Sequence, residues 1–217
     1  MIDLISFKKE EIEIKNSEVS IYLGYYGAKT DSETEKLIEE CKSEFISVAS
    51  FKACLTEVEV SITDCTVNLG FMSINSRSLA KNLCGCKKAY VLAATTGIEA
   101  HRLLTRNSLL SPLKGTVTDC VGSAAIEAFC DKINKTLGNP DYLRPRFSPG
   151  YGDMPLEYQK EITSFLQTKA KIGLSLNESL MMIPSKSVTA IIGISEEKNK
   201  CTGPGCMICS RENCPYS

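Results

Sequence analysis

The sequence predicts an α+β fold, a mixed or antiparallel central sheet covered by helices, with a cysteine-rich C-terminal appendage. Three observations predict it. Some stretches repeat apolar residues at helical spacing, and others alternate or run continuously with β-branched enrichment, so both periods are present. The two kinds of segment do not alternate regularly, which argues against the βαβ units of a parallel, doubly wound sheet. Finally, of eleven cysteines in 217 residues, four fall in the closing stretch "CTGPGCMICSRENCPYS", apart from any apolar pattern. One core over residues 1–197 followed by a tail over 198–217 is the domain organisation expected of this length.

Each element has a local reason. Asp31 and Ser32, with glutamates in the first turn, precede Leu37, Ile38, Cys41, Phe45 and Val48, which is a capped amphipathic helix. "FKACLTEVEVSIT" has the imperfect alternation of a strand, and a second strand follows at Thr66 to Leu69. "NSRSLAKNLCGC" predicts a short helix ending at Gly85. The apolar run Ala89 to Ala94 then predicts a strand buried on both faces, the centre of the sheet. Two helices follow, Ile98 to about Asn107 and Thr116 to Leu137, the second striped by Val117, Cys120, Val121, Ala124, Ala128, Ile133 and Leu137 and stopped by "GNP". "DYLRPRFSPGYGDMP" is a loop, Pro155 opens a helix through Phe165, and Val188 to Ile194 is a strand.

Composition narrows the function. With 43% hydrophobic and 24% charged residues the chain is an ordinary globular sequence. Its 25 basic and 26 acidic residues leave no surplus charge for a nucleic-acid partner. No apolar run approaches membrane-spanning length, and "MIDLISFKKEEIEIK" has acidic residues where a signal peptide would have its apolar core. The expectation is a cytoplasmic protein with neither nucleic-acid nor membrane partners. In a reducing compartment, clustered cysteines read as metal ligands or redox groups and scattered ones as small core residues.

Two stretches could carry chemistry. In "RFSPGYG", residues 146–152, Gly150 and Gly152 permit positive φ or close approach to a ligand, and Pro149 stiffens the turn. Arg146 offers a planar fork for a carboxylate, and Tyr151 a flat ring with a hydroxyl. The same residues could equally form an interhelical turn whose arginine meets a surface carboxylate. The second stretch places Cys201, Cys206, Cys209 and Cys214 as C-x4-C-x2-C-x4-C. Four thiolates suit tetrahedral zinc or an iron-sulfur cluster, with free thiols as the alternative. Cys84 and Cys86 read as a helix end rather than a redox pair, His101 as a surface residue, and Met181 and Met182 as core or pocket lining.

"RFSPGYG", the aspartate and proline just after it, and the later "IGLSLNESLMMIPSKSV" together resemble the reactivation domain of cobalamin-dependent methionine synthase. "AAIEAFCDKI" is similar to that domain's acidic helix, and "YLGYYG" with "LIEEC" looks like the start of its short, free-standing members. The resemblance implies an S-adenosylmethionine site in which Arg146, Ser148, Pro149, Gly150 and Tyr151 hold the methionine and adenosine parts and Glu127 takes the ligand's amino group. It implies no catalytic side chain, because a corrinoid would itself be the nucleophile. It further implies action in trans on a corrinoid-binding methionine synthase that lacks its own reactivation domain. The cobalamin would be carried by that partner, with flavodoxin or ferredoxin as electron donor. The four-cysteine tail departs from the family pattern. A metal-stabilised interaction module with the same fold, docking on a corrinoid protein without S-adenosylmethionine-dependent activity, is the alternative.

Overall fold

A computed structural model describes residues 1–26 and 30–196. The tail 198–217, and with it Cys201, Cys206, Cys209 and Cys214, lies outside the described residues. In chain order the elements are β1 (Asp3–Ser6), α1 (Asn16–Tyr22), α2 (Ser32–Val48), β2 (Lys52–Glu59), β3 (Ser61–Thr63), β4 (Thr66–Asn68), β5 (Ser73–Asn75), α3 (Arg77–Asn82) and β6 (Lys88–Thr95). They continue with α4 (Ile98–Leu110), α5 (Pro112–Thr136), α6 (Gln159–Phe165), α7 (Thr168–Ile172), β7 (Ser175–Leu176), β8 (Met182–Ile183) and β9 (Ser187–Ile194). No helix of the described residues is long and apolar enough to cross a membrane.

The main sheet runs β1-β2-β6-β9, every pair antiparallel. β6 is interior, with Leu92 opposite Leu55 on one side and Ala190 on the other. Strand alternation divides the core into two layers. Ala53, Leu55, Leu92, Ala94 and Ile192 face α2, α4 and α5 through a cluster that includes Phe45 and Phe129. Cys54, Ala89, Val91, Ala93 and Ile191 face the opposite way, toward Leu79, Met154, Ile162 and Leu166. This two-sided burial is what the unbroken apolar run of β6 encodes. It needs no parallel strands, because both faces of this antiparallel sheet are covered. Each fully buried phenylalanine contributes roughly 2–3 kcal/mol by area removed from water.

The local signals explain the helices. Asp31 caps α2, its Oδ1 accepting from the Glu33 and Thr34 amides at 3.0 and 2.9 Å. Ser111 caps α5 through a bond from Lys114 N (3.3 Å), with Pro112 in the first turn. That cap starts α5 four residues before the apolar stripe indicates. On the other side of the sheet, β3, β4 and β5 form a separate antiparallel meander. It is held by Phe71 stacked on Phe165 at 3.7 Å and by a bond from Asn75 N to the Tyr158 hydroxyl.

β9 is the last strand of the sheet, and residues 142–147 cover its edge. Arg144 N donates to Gly193 O (2.8 Å), Ser195 N to Tyr142 O (2.8 Å), and Phe147 and Ile191 exchange bonds of 2.9 and 2.8 Å. Leu143 stands opposite Ile194 and Phe147 opposite Ile191, so the covering segment holds one residue more than β9 between the same points. In a regular strand Leu143 and Phe147 would point to one face. Here Leu143 belongs to the helix-side core and Phe147 to the opposite one. The extra residue is a bulge, which re-aims side chains, and Arg146 emerges from it.

Candidate functional site

Beyond the bulge the chain makes a rigid turn. Tyr151 N donates to Ser148 O (3.0 Å), and Pro149 and Gly150, the latter at φ 89°, occupy the two central positions. Proline followed by a positive-φ glycine is the requirement of a type II turn. A second closure binds Gly150 N to Met154 O (2.9 Å) and Met154 N to Tyr151 O (3.0 Å), and Met154 is itself buried. Gly152 has φ 55°, and a Cβ there would lie 2.7 Å from Ser78 Oγ. The Tyr151 ring meets the buried Phe147 ring at 6.2 Å, edge-on, with about half its surface left exposed.

The turn forms one wall of a cleft of about 1080 Å³, at the upper end of the size usual for a small-molecule site. α5 supplies the facing wall with Ala124, Glu127 and Asp131, and α1 adds Glu18 and Tyr22. The β9 residues Ser187, Val188 and Thr189, with Met182, close the floor. Five acidic residues (Glu11, Glu13, Glu18, Glu127, Asp131) and five basic ones (Lys15, Lys132, Lys135, Arg144, Arg146) line it. Such a lining suits a ligand carrying both signs of charge.

Arg146 is the pivot. Its Nη2 donates to Glu127 Oε2 at 2.6 Å and its Nη1 to Asp131 Oδ1 at 2.8 Å. The two carboxylates stand four residues apart on α5 and so share a face. Burial opposes the guanidinium's charge, but its acidic surroundings outweigh burial and hold its pKa above the usual value. Burial, seconded by the charges of Glu127 and Glu18, raises the Tyr22 phenol.

Of the residues expected from the sequence, Arg146, Ser148, Pro149, Tyr151 and Glu127 line one cleft, while Gly150 shapes the turn without lining it. The arginine meets carboxylates of α5, as expected of a turn at a helix, and the turn borders a cavity. Sequence reasoning missed Asp131, Glu18 and Tyr22. The i, i+4 spacing of Glu127 and Asp131 could have revealed the first, but nothing local marks the contribution of α1. Cys84 is exposed and Cys86 buried, and His101 lies 3.0 Å from Ser185 Oγ, away from the cleft. Met182 lines the cleft, whereas Met181 is exposed. Among the described residues no group of three or more His, Cys, Asp or Glu side chains could hold a metal ion.

Residues 127–201 match the family model of the vitamin B12 dependent methionine synthase activation domain. The match contains Glu127, Asp131, the whole 142–154 segment and β9. No curated protein matches the chain. Among solved structures, the crystal structure of the MetH reactivation domain bound to AdoHcy is similar, with a TM-score of 0.66 at 13% sequence identity. The superposition covers 92% of this chain and 80% of that one, a likeness of fold.

Proposed function

We propose that this chain, which carries the methionine synthase activation fold and the family match over its C-terminal part, binds S-adenosylmethionine in the cleft between the Ser148–Tyr151 turn and α5. There it supports, in trans, the reductive remethylation of a corrinoid carried by a separate methionine synthase. The observation that supports this best is the doubly closed turn, which presents Tyr151 to a cleft whose facing wall carries Glu127 and Asp131, with Arg146 reaching across to both. The fit is chemical. The ligand's ammonium calls for a carboxylate, which Glu127 supplies, and its carboxylate calls for a cation, which Arg146 supplies. A guanidinium has five N–H donors, and the bonds to Glu127 and Asp131 occupy two. The adenine ring and the sulfonium both suit the face of Tyr151.

When bound, S-adenosylmethionine supplies an electrophilic methyl group. The work of this chain is to orient that methyl, which requires positioning and no general acid or base. Residues 1–197 form the activation-like unit in this reading. In the tail, Cys201, Cys206, Cys209 and Cys214 bind zinc or an iron-sulfur cluster, the latter relaying an electron from a flavodoxin or ferredoxin. One observation favours a second reading, a docking module without ligand: Arg146 is already paired with two carboxylates.

Titration calorimetry of the full chain with S-adenosylmethionine separates the two, with saturable one-site binding expected. In reconstitution, a methionine synthase lacking its reactivation domain, stalled as cob(II)alamin, should regain activity only with this chain, S-adenosylmethionine and a reductant together. Absence of binding would leave the docking module. Iron, sulfide and zinc analysis of the same anaerobic preparation reports on the tail.

A further inference from the structure

We infer that Asp153, outside the cleft, is the positioning residue of the ligand-binding turn, acting by fastening it to the start of α3. This rests on the ligand reading above, and deepens it by naming what holds the turn in shape.

The Asp153 carboxylate accepts three hydrogen bonds from one short stretch. Ser76 Oγ donates at 2.5 Å and Ser78 N at 3.1 Å, both to Oδ1, while Arg77 N donates to Oδ2 at 2.9 Å. These bonds, led by the one from Ser76, hold its carboxyl well below the usual range, although the side chain is not buried. Ser76 is fixed in turn. It is buried, its Oγ accepts from Leu79 N (3.0 Å), and its amide donates to Cys65 O (2.9 Å). A chain of bonds therefore runs from the β3–β5 meander through Ser76 to Asp153, two residues from Tyr151.

The fastening is tight on both sides. Gly152 passes so near Ser78 that only a residue without a Cβ fits, and on the far side Met154 is sunk into the core. Asp153 lies between these two contacts, so its carboxylate fixes the direction in which Ser148–Tyr151 leave the core. With the clamp removed, the turn's internal bonds open more often and the turn loses its orientation against α5. Tyr151 and Arg146 then no longer present one surface to a ligand. A purely structural role would lower global stability and leave the affinity of the folded molecules unchanged, whereas a positioning role lowers that affinity.

The test compares the full chain with Asp153→Ala, Ser76→Ala and the double variant. It measures S-adenosylmethionine affinity by calorimetry, urea midpoint, and amide hydrogen exchange at Gly150 and Tyr151. Asp153→Ala should weaken binding by tenfold or more under conditions where the variant is folded. It should speed exchange at the two turn amides while leaving β6 and α5 protected. Ser76→Ala should give part of that loss, and the double variant no more than Asp153→Ala alone. Unchanged exchange at the turn would overturn the inference, as would faster exchange with undiminished affinity. If the unsubstituted chain binds no S-adenosyl ligand, the ligand reading itself fails, and exchange still decides whether Asp153 holds the turn.

Discussion

Replacing Arg146 by methionine keeps most of the aliphatic stem and removes the guanidinium, so it isolates the two ionic bonds. The magnitude follows from exposure. The Arg146 side chain is 18% exposed, Glu127 43% and Asp131 63%. A buried charge-assisted hydrogen bond contributes about 1.5–3 kcal/mol and an exposed ion pair about 0.2–1. The bond to Glu127 lies between these limits, at about 1 kcal/mol, and the bond to Asp131 near the lower one, at about 0.3. Losing the cation also leaves Glu127 and Asp131 facing each other one turn apart, worth a further ~0.3 kcal/mol of repulsion. The sum is about 1.5 kcal/mol of lost stability. With a urea slope of about 2 kcal/mol per molar, the midpoint should fall by about 0.75 M in low salt, and by less in high salt as the repulsion is screened. Glu127→Gln in the arginine-free background should then cost almost nothing. A midpoint that does not move would show that the cluster seen at the α5 wall contributes nothing. A fall of several molar would mean that Arg146 supports the bulge itself.

Two further predictions probe the scaffold. Gly115→Ala puts a Cβ 2.6 Å from Ser108 Cα, a backbone atom that cannot yield without parting α4 from α5, whereas Gly122→Ala meets the flexible Lys186 side chain at 2.9 Å. The first should cost about 2–3 kcal/mol by overpacking and the second clearly less, as melting curves would show; equal losses would refute the contrast. Burial pushes the Cys130 thiol up to about 12 from an ordinary value near 9.0. The folded state therefore holds this proton where the unfolded state releases it, so stability present below pH 9 declines as pH rises toward 12. The loss from this thiol is on the order of 1 kcal/mol at pH 10. Urea unfolding at pH 8 and 10 checks it, and Cys130→Ala should flatten the decline by that amount.

The fold was legible where burial leaves a period in the sequence. The cap at Asp31, the two-sided run of β6 and the stripe of α5 all place their elements close to where they lie. β1 and α1 left no such trace, because neither turns a wide apolar face inward. In α1 only Val19 is buried, and β1 has no buried residue. α1 matters to the candidate site all the same, since it brings Glu18 and Tyr22 to the cleft by tertiary packing, which no local pattern records. The pairing of residues 142–147 along β9 was hidden for another reason. Pro145 and Pro149 argue against a strand, and proline is tolerated in a sheet at edges and bulges, which is where this segment lies.

That hidden pairing explains why the site occupies the margin of the sheet. An uncovered β9 would offer a row of free backbone groups to any passing strand. Residues 142–147 cover it, and the extra residue they carry turns Phe147 into one core while Leu143 stays in the other. Arg146, the residue just before Phe147, is thereby aimed at α5, where it meets Glu127 and Asp131. Paired regularly from Leu143, the same residues would put Arg146 opposite Ile191, pointing with it away from the α5 wall. The geometry that closes the sheet is thus the geometry that assembles the cleft: the extra residue lets Phe147, rather than Arg146, stand opposite Ile191, and so leaves the arginine on the side of α5.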